Sequence, residues 1–328
     1  MKRVATSRGE EQAETSSNAD AAFAGDAAVG EGRMAYWRPA ADLAPFVSGY
    51  HFYEVDPPRA RYHLDVFQPA WFSLRVLLTS RTDWHVRVGK GRKVRVPDLS
   101  LFGPSSAVTW SQSTAGQVVG AGLTPLGWLR LTRVLAVDWA DRVGDPGPIF
   151  GPGLDEFASE IRRVSPDEAP ALFHAFLAPL LSRPQRSEDR VAAMTNALLD
   201  PSVQSVHELA KRVMATERTI ERLASRAFGF APKFLLRRSR FLRSLHAIFA
   251  TGRGDGALAI DPGYTDYSHF VREAHAFLGM APRRFLAIGA PMLTRSLILR
   301  KAQLGAPAQA LLDGPARTAS DIIHQTTS

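Results

Sequence analysis

Arg218, Arg222 and Arg226 recur at every fourth residue, so on a helix their guanidinium groups share one face. Arginine on an exposed helix face has a definite chemistry. Its planar fork bonds the O6 and N7 of a guanine together, or pairs with phosphate oxygens. Thr219 and Glu221 add a hydroxyl and a carboxylate beside it. Downstream, Arg237, Arg238, Arg240 and Arg243 crowd one run, the composition of a phosphate clamp. Arg218, Thr219, Glu221, Arg222 and Arg226 are therefore candidate contacts to double-stranded DNA, with Arg237 and Arg238 on its phosphates. For Arg222 a phosphate clamp or a salt bridge competes with base contact.

Other chemistries find less support. His51, His63 and His85 lie near Glu54 and Asp65. No H-x-H pair is present, and a metal site needs several converging ligands, so no metal or other cofactor is expected. The chain has no cysteine, which excludes disulfides, thiolate metal sites and cysteine nucleophiles. Gly252 to Gly256 lacks the G-K-S/T ending of a phosphate loop. Scattered Ser, His and Asp have no nucleophile elbow behind them, so no enzymatic activity is expected. Trp71, Trp84 and Trp110 are candidate walls of an apolar effector pocket, with core packing as the alternative.

The arginines need elements to hold them. Ser205-Val206-His207-Glu208 is a capping box that starts a helix. Val206, Leu209, Ala210 and Val213 give that helix one apolar face. Met214-Ala215 turns the chain, and Thr216 caps the next helix. Ile220, Leu223, Ala224 and Ala227 form its buried stripe, opposite the arginines. A short helix, a tight turn and a second helix with a basic face make a helix-turn-helix. A linking helix over Lys233 to Ala250 follows. A second unit has Asp266 as N-cap and Phe270, Ala274 and Phe277 as core.

These patterns resemble the AraC/XylS family of bacterial transcription regulators. The matching residues begin at Leu209-Ala210 and run through Thr216, Arg218-Thr219-Ile220, Arg222-Leu223, Gly229 and Pro232. They continue in Gly263-Tyr264-Thr265-Asp266-Tyr267-Ser268-His269-Phe270, Arg272-Glu273, Phe277, Gly279, Pro282 and Phe285. The resemblance implies that each recognition helix enters one of two adjacent major-groove segments. It adds Tyr267, Ser268, His269 and Arg272 as candidate contacts of the second helix. More weakly, Gly103-Pro104 and Gly122 to Trp128 resemble the cupin-like sensing or dimerisation domain of such regulators. A homodimer, a small-molecule effector and RNA polymerase are the further partners implied. Met214 stands where a glycine is common, and Ala224 where a large aromatic is usual. Gly252 to Gly256 and Asp261-Pro262 fall where the second unit's first helix belongs, so that helix is expected to be short, about Ala257 to Ile260. The second recognition helix is then expected to be held less rigidly than the first.

The 328 residues suffice for two domains, and the net charge is +8. Between Asp200 and Ala287, 14 Lys and Arg face 8 Asp and Glu, so the basic excess sits with the motif. Residues 1–33 are poor in large apolar side chains and are expected to be a disordered tail. All six tryptophans fall in 34–150, where Phe72, Leu74, Val76 and Leu78 alternate. Trp84, Val86 and Val88 alternate up to a Gly89-Lys90-Gly91 turn, a hairpin signal in a β-rich sensing or dimerisation domain. Residues 151–190 shift to helical spacing at Leu172, Phe173, Phe176, Leu177, Leu180 and Leu181, and can pack on the β domain or on a second subunit. The DNA-binding domain takes 191–288, and 289–328 is expected to be a flexible tail. The fold class expected is α+β: a β-rich, cupin-like sandwich or barrel followed by an all-α domain with two helix-turn-helix units. No apolar run reaches a membrane span and no secretory signal opens the chain, so a cytoplasmic protein is expected. Three functions remain: an effector-responsive DNA-binding regulator, a ligand-independent one, and a cupin-type enzyme with an appended DNA-binding domain.

Overall fold

The computed structural model describes residues 32–58, 62–79, 81–251, 260–288, 291–306 and 308–311. Residues 1–31 of the expected leading tail lie outside them, as does all of the short helix expected at Ala257 to Ile260 except Ile260. Among the described residues, ten strands form two antiparallel sheets. The larger contains β1 (Arg33–Trp37), β2 (Val47–Val55), β4 (Phe72–Leu77), β7 (Leu99–Phe102), β9 (Gly116–Leu123) and β10 (Val143–Gly144), in the order β1-β2-β9-β4-β7-β10. The smaller contains β3 (His63–Phe67), β5 (Trp84–Val88), β6 (Val94–Arg95) and β8 (Thr109–Ser113), in the order β3-β8-β5-β6. The sheets face one another without joining into a closed barrel. The hairpin at Gly89-Lys90-Gly91 joins β5 to β6, with Val86 opposite Val94.

Strand β4 explains how the layers are built. Phe72, Leu74 and Val76 are fully buried on one face, where Phe72 stacks on Trp128 at 4.1 Å. Burying each such side chain contributes about 1.5–3 kcal/mol. Ser73 and Arg75 alternate with them and point into the space between the sheets. There Trp84 of the smaller sheet meets Phe102 of the larger at 5.6 Å.

Helices α1 (Pro125–Leu131), α2 (Leu154–Ile161) and α3 (Ala169–Leu181) lie over the outer face of the larger sheet, and α4 (Glu188–Leu199) packs on α1. Thr124 caps α1, its hydroxyl accepting the Gly127 N–H at 3.0 Å. Phe173 stacks on Tyr50 at 5.7 Å, so α3 packs on its own β domain, one of the two partners open to it. Arg130 donates two bonds of 2.8 Å to the Glu188 carboxylate, tying α1 to the first turn of α4.

The C-terminal part is helical: α5 (Val206–Val213), α6 (Glu217–Leu223), α7 (Pro232–Thr251), α8 (Tyr267–Leu278) and α9 (Pro282–Ala287). The structure departs from expectation after this. Instead of a flexible tail from 289, helix α10 (Pro291–Leu304) packs on β1 and β3. Leu293, Ser296, Leu297 and Arg300 recur at i, i+3, i+4 and i+7 on the face turned to the sheets. A serine and an arginine at two of the four positions disguise that stripe. The buried Asp65 carboxylate accepts the N–H groups of Met292 at 2.9 Å and Leu293 at 3.3 Å, closing the helix start. Beyond it, the Gln309 side chain bonds Ser48, Phe72, Leu123 and Trp71, pinning the chain to the sheet. Residues 312–328 of the expected tail lie outside the described residues.

Candidate nucleic-acid interface

Local sequence sets each recognition helix. The Ser205 hydroxyl accepts the Glu208 N–H at 3.1 Å, and the Glu208 carboxylate accepts the Ser205 N–H at 2.9 Å, completing the capping box. Those backbone donors, Gln204 first, hold the Glu208 carboxyl below its ordinary pKa. Met214 ends α5 at φ +53°, in the left-handed region where glycine is favoured. Thr216 caps α6, accepting the Thr219 N–H at 3.2 Å. The fully buried Ile220 and the buried Leu223 fix which way α6 faces. Arg218, Glu221 and Arg222 are then left exposed and, among the described residues, without an ion pair. Thr219 is half-buried and its hydroxyl lies 3.0 Å from that of Thr216, so it serves the turn.

Past Leu223 the helix widens into a π-helical turn over Ala224–Phe228. Arg226 lies on that turn and leaves the arginine row. It donates to the carbonyl oxygens of Val134, at 2.8 Å, and Thr132. Arg226 therefore ties the first unit to the N-terminal domain rather than facing outward. Arg238 departs further from expectation. It is 1% exposed, its guanidinium lies 3.8 Å from the centre of the Trp71 ring, and it donates to the Ser105 carbonyl at 3.1 Å. Burial lowers its pKa to about 9. No phosphate reaches a side chain so placed. Arg237 is partly exposed and bonds the Glu273 carboxylate at 2.7 Å.

The second unit is anchored through buried charge. Glu273 of α8 accepts from Arg237, from the Tyr264 hydroxyl at 2.7 Å and from Arg240 at 3.4 Å. Burial, and next the bond to Glu273, raise the Tyr264 pKa well above its ordinary value. Asp261, expected to be a weak point before Pro262, is a second hub. Its carboxylate receives Arg243 at 2.7 Å and the Gly263 N–H at 2.9 Å, and Arg243 continues to the Leu198 carbonyl of α4 at 3.0 Å. A Cβ on Gly263 would stand 2.3 Å from Oε1 of Gln204, just before α5, so glycine lets the units meet. Asp266 caps α8, accepting the His269 N–H at 2.7 Å. Ser268 and Arg272 are exposed, Tyr267 packs at 5.8 Å on Phe270, and His269 stands edge-on to Tyr264 at 5.1 Å.

Both units dock on the N-terminal domain. Phe228 meets Trp71 at 5.6 Å, and the Val108 N–H donates to the Phe277 carbonyl at 2.9 Å. Of the candidate effector residues, Trp71 and Trp84 line a cavity between the sheets. Trp110 does not, because Thr109 and Ser111 on either side of it in β8 face that cavity. Arg75 and Arg300 line it as well, and sequence reading passed over both. Arg75 alternates with buried apolar residues, which reads as an outward position. Arg300 falls in the expected tail. Among the described residues, no three His, Asp or Glu side chains converge on a metal position.

A capped helix pair with an exposed arginine face unpaired among the described residues, followed by a second capped helix at Tyr267–Leu278, defines a DNA-binding module. Residues 209–288 match the model of a helix-turn-helix domain family, and this segment is a helix-turn-helix domain of the AraC type. No curated protein sequence matches the chain. Among solved structures it is similar to apo ToxT K231A from Vibrio cholerae, with 12% identity, a TM-score of 0.39, and coverage of 74% of this chain and 97% of that one. It is also similar to unsaturated fatty acid-bound ToxT from the same species, with 10% identity, a TM-score of 0.37, and coverage of 80% and 96%. The AraC-like transcriptional activator CuxR gives 10% identity, a TM-score of 0.24, and coverage of 69% and 90%. Likenesses at this level assign no function. No helix among the described residues is long and apolar enough to cross a membrane.

Proposed function

We propose that this protein is a sequence-specific, double-stranded DNA-binding transcription regulator whose N-terminal domain senses a small molecule. Arg218 and Arg222 of α6 read base edges, with Glu221 beside them. Ser268 and Arg272 serve α8, flanked by Tyr267 and His269. Exposed Lys233, Arg283 and Arg284 supply salt-sensitive phosphate contacts. The observation that carries the regulatory half is the position of Trp71. One side of this residue lines the interior cavity, while its ring touches Phe228 and lies under Arg238 of the DNA-binding module. A ligand that moves Trp71 changes how both units sit on the N-terminal domain. It shifts DNA affinity by as much as its own affinity differs between the two arrangements. Self-association through 34–190 belongs to the same proposal, and RNA polymerase is its further partner.

The test is a gel-shift series on fragments upstream of the protein's own gene. Arg222→Ala is expected to weaken binding to the preferred site by about 1–3 kcal/mol and to relax base preference at one position, with circular dichroism unchanged. Unaltered affinity and preference would remove Arg222 as a reader. Sedimentation of the full chain checks the dimer.

A further inference from the structure

The cavity between the sheets holds two buried guanidinium groups. That of Arg75 lies 4.2 Å from the centre of the Phe102 ring, with Trp84 at 5.7 Å and Tyr53 at 5.9 Å. Its Nε donates to the Ser73 hydroxyl at 3.2 Å. Arg300 reaches in from α10, 5.1 Å from the centre of the Tyr36 ring, and among the described residues its buried Nε and Nη2 have no hydrogen-bond partner. Among the described residues neither arginine has an ion pair. The carboxylates at the cavity margins are engaged elsewhere: Asp65 holds the first turn of α10, and Asp141 accepts the Ser106 N–H at 2.6 Å. The exposed Arg142 adds a further cation to the lining, and the polar groups nearest Arg75 and Arg300 are hydroxyls and an imidazole. The Tyr36 hydroxyl sits 2.6 Å from those of both Tyr53 and Ser296. His51, stacked on Tyr53 at 4.8 Å, is held neutral, its pKa lowered by burial and then by Arg75 and Arg300. Both guanidiniums thus act on the same buried ring.

A buried cation without a counter-charge is costly, and supplying the anion removes the cost. The arginine fork matches a carboxylate, and the Trp84 and Phe102 rings match an apolar body. The cavity measures about 110 Å³. That is several times what a single water needs, so a small organic molecule can be accommodated. We propose that this cavity binds a small organic monocarboxylate, its carboxylate between Arg75 and Arg300 and its apolar body against Trp84 and Phe102. Because Arg300 belongs to α10, the bound anion also clamps that helix onto the sheets, making the C-terminal segment the lid of the sensor. This rests on the effector-sensing reading and gives it a chemical class.

The experiment uses the full chain without DNA, by calorimetry, with phenylacetate and its neutral isostere phenylacetamide. Phenylacetate is expected to bind at least about tenfold tighter than the amide, the worth of one charge-assisted pairing. Arg300→Gln, on the half-buried face of α10, is expected to abolish that preference while leaving amide binding unchanged. Arg75→Gln gives a second measure of the same loss. Equal binding of acid and amide, or a preference that survives both substitutions, overturns the proposal. So does failure of both phenylacetate and hexanoate to bind at millimolar concentration, or binding of inorganic phosphate in preference to either. A negative result leaves the gel-shift outcome intact, and failure of DNA binding with intact phenylacetate binding overturns the regulator reading instead.

Discussion

Arg222 and Arg238 carry the same group and end in opposite places. Arg222 projects from α6 on the side away from Ile220 and Leu223, so helix periodicity alone exposes it. Arg238 sits on the side of α7 that another domain covers, and periodicity within α7 cannot report that. Caps were legible for the same reason as Arg222. Ser205, Thr216 and Asp266 bond backbone groups within three residues, and each does so in the structure. Arg226 and Arg238 were not legible as docking residues, because their partners lie 92 to 133 positions away. Met214 was legible as an oddity, and the structure gives it a cost. A side chain at φ +53° sits where glycine is unstrained, and Met214 is 74% exposed, so packing returns little. Met214→Gly is expected to raise stability by about 0.5–1 kcal/mol, read as a higher urea midpoint at unchanged slope. A lower midpoint would mean that the methionine packs or binds in a way its exposure conceals.

At the level of elements, the second helix-turn-helix unit is anchored by different means from the first. The first relies on caps and an apolar stripe. The second relies on Glu273 and Asp261, each buried and each joined to arginines of α7. Sequence reading saw Pro262 as a break. In the structure Pro262 is exposed, while Asp261 before it carries the contacts that fix the unit. Asp261→Ala leaves Arg243 without its partner and is expected to cost about 3–5 kcal/mol in thermal or urea unfolding. The same substitution should reduce base discrimination at the half-site proposed for α8 and spare the one proposed for α6. Pro262→Leu is expected to leave DNA affinity unchanged, since the bonds around it involve Asp261 and Gly263. A gain in affinity from Pro262→Leu would restore the picture of a loosely held second helix. Helix α10 teaches a related lesson. Its stripe follows regular helical spacing, but two of its positions, facing the cavity between the sheets, are Ser296 and Arg300, so an apolar pattern never forms.

At the scale of the molecule, three parts of the chain meet around α7: the sheets through Trp71 and Ser105, α4 through Arg243, and the C-terminal helix near His246. His246 gives this assembly a pH dependence. Burial, and next the charge of Lys301, lower its pKa to about 4. Its Nε2 is buried and, among the described residues, has no hydrogen-bond partner. The unfolded chain takes up a proton near the ordinary histidine pKa of about 6.5, and the folded chain does so only near 4. The unfolded state therefore binds more protons between these values, and stability falls as pH drops through that window, by up to about 3 kcal/mol. His51 is shifted in the same direction, by its own burial, and adds to the slope. The lowered carboxylates Glu188, Asp200 and Glu208 act at lower pH, because their stabilisation is lost only as the carboxyls take up protons. The interval from about pH 6.5 to 4.5 thus isolates the buried histidines. Unfolding midpoints of the wild type are expected to decline across it. His246→Gln, which cannot be protonated, should decline less, with the remainder due to His51. Parallel curves for the two proteins would show that His246 is charged in the folded state and that α7 and α10 are more open to water than their packing indicates.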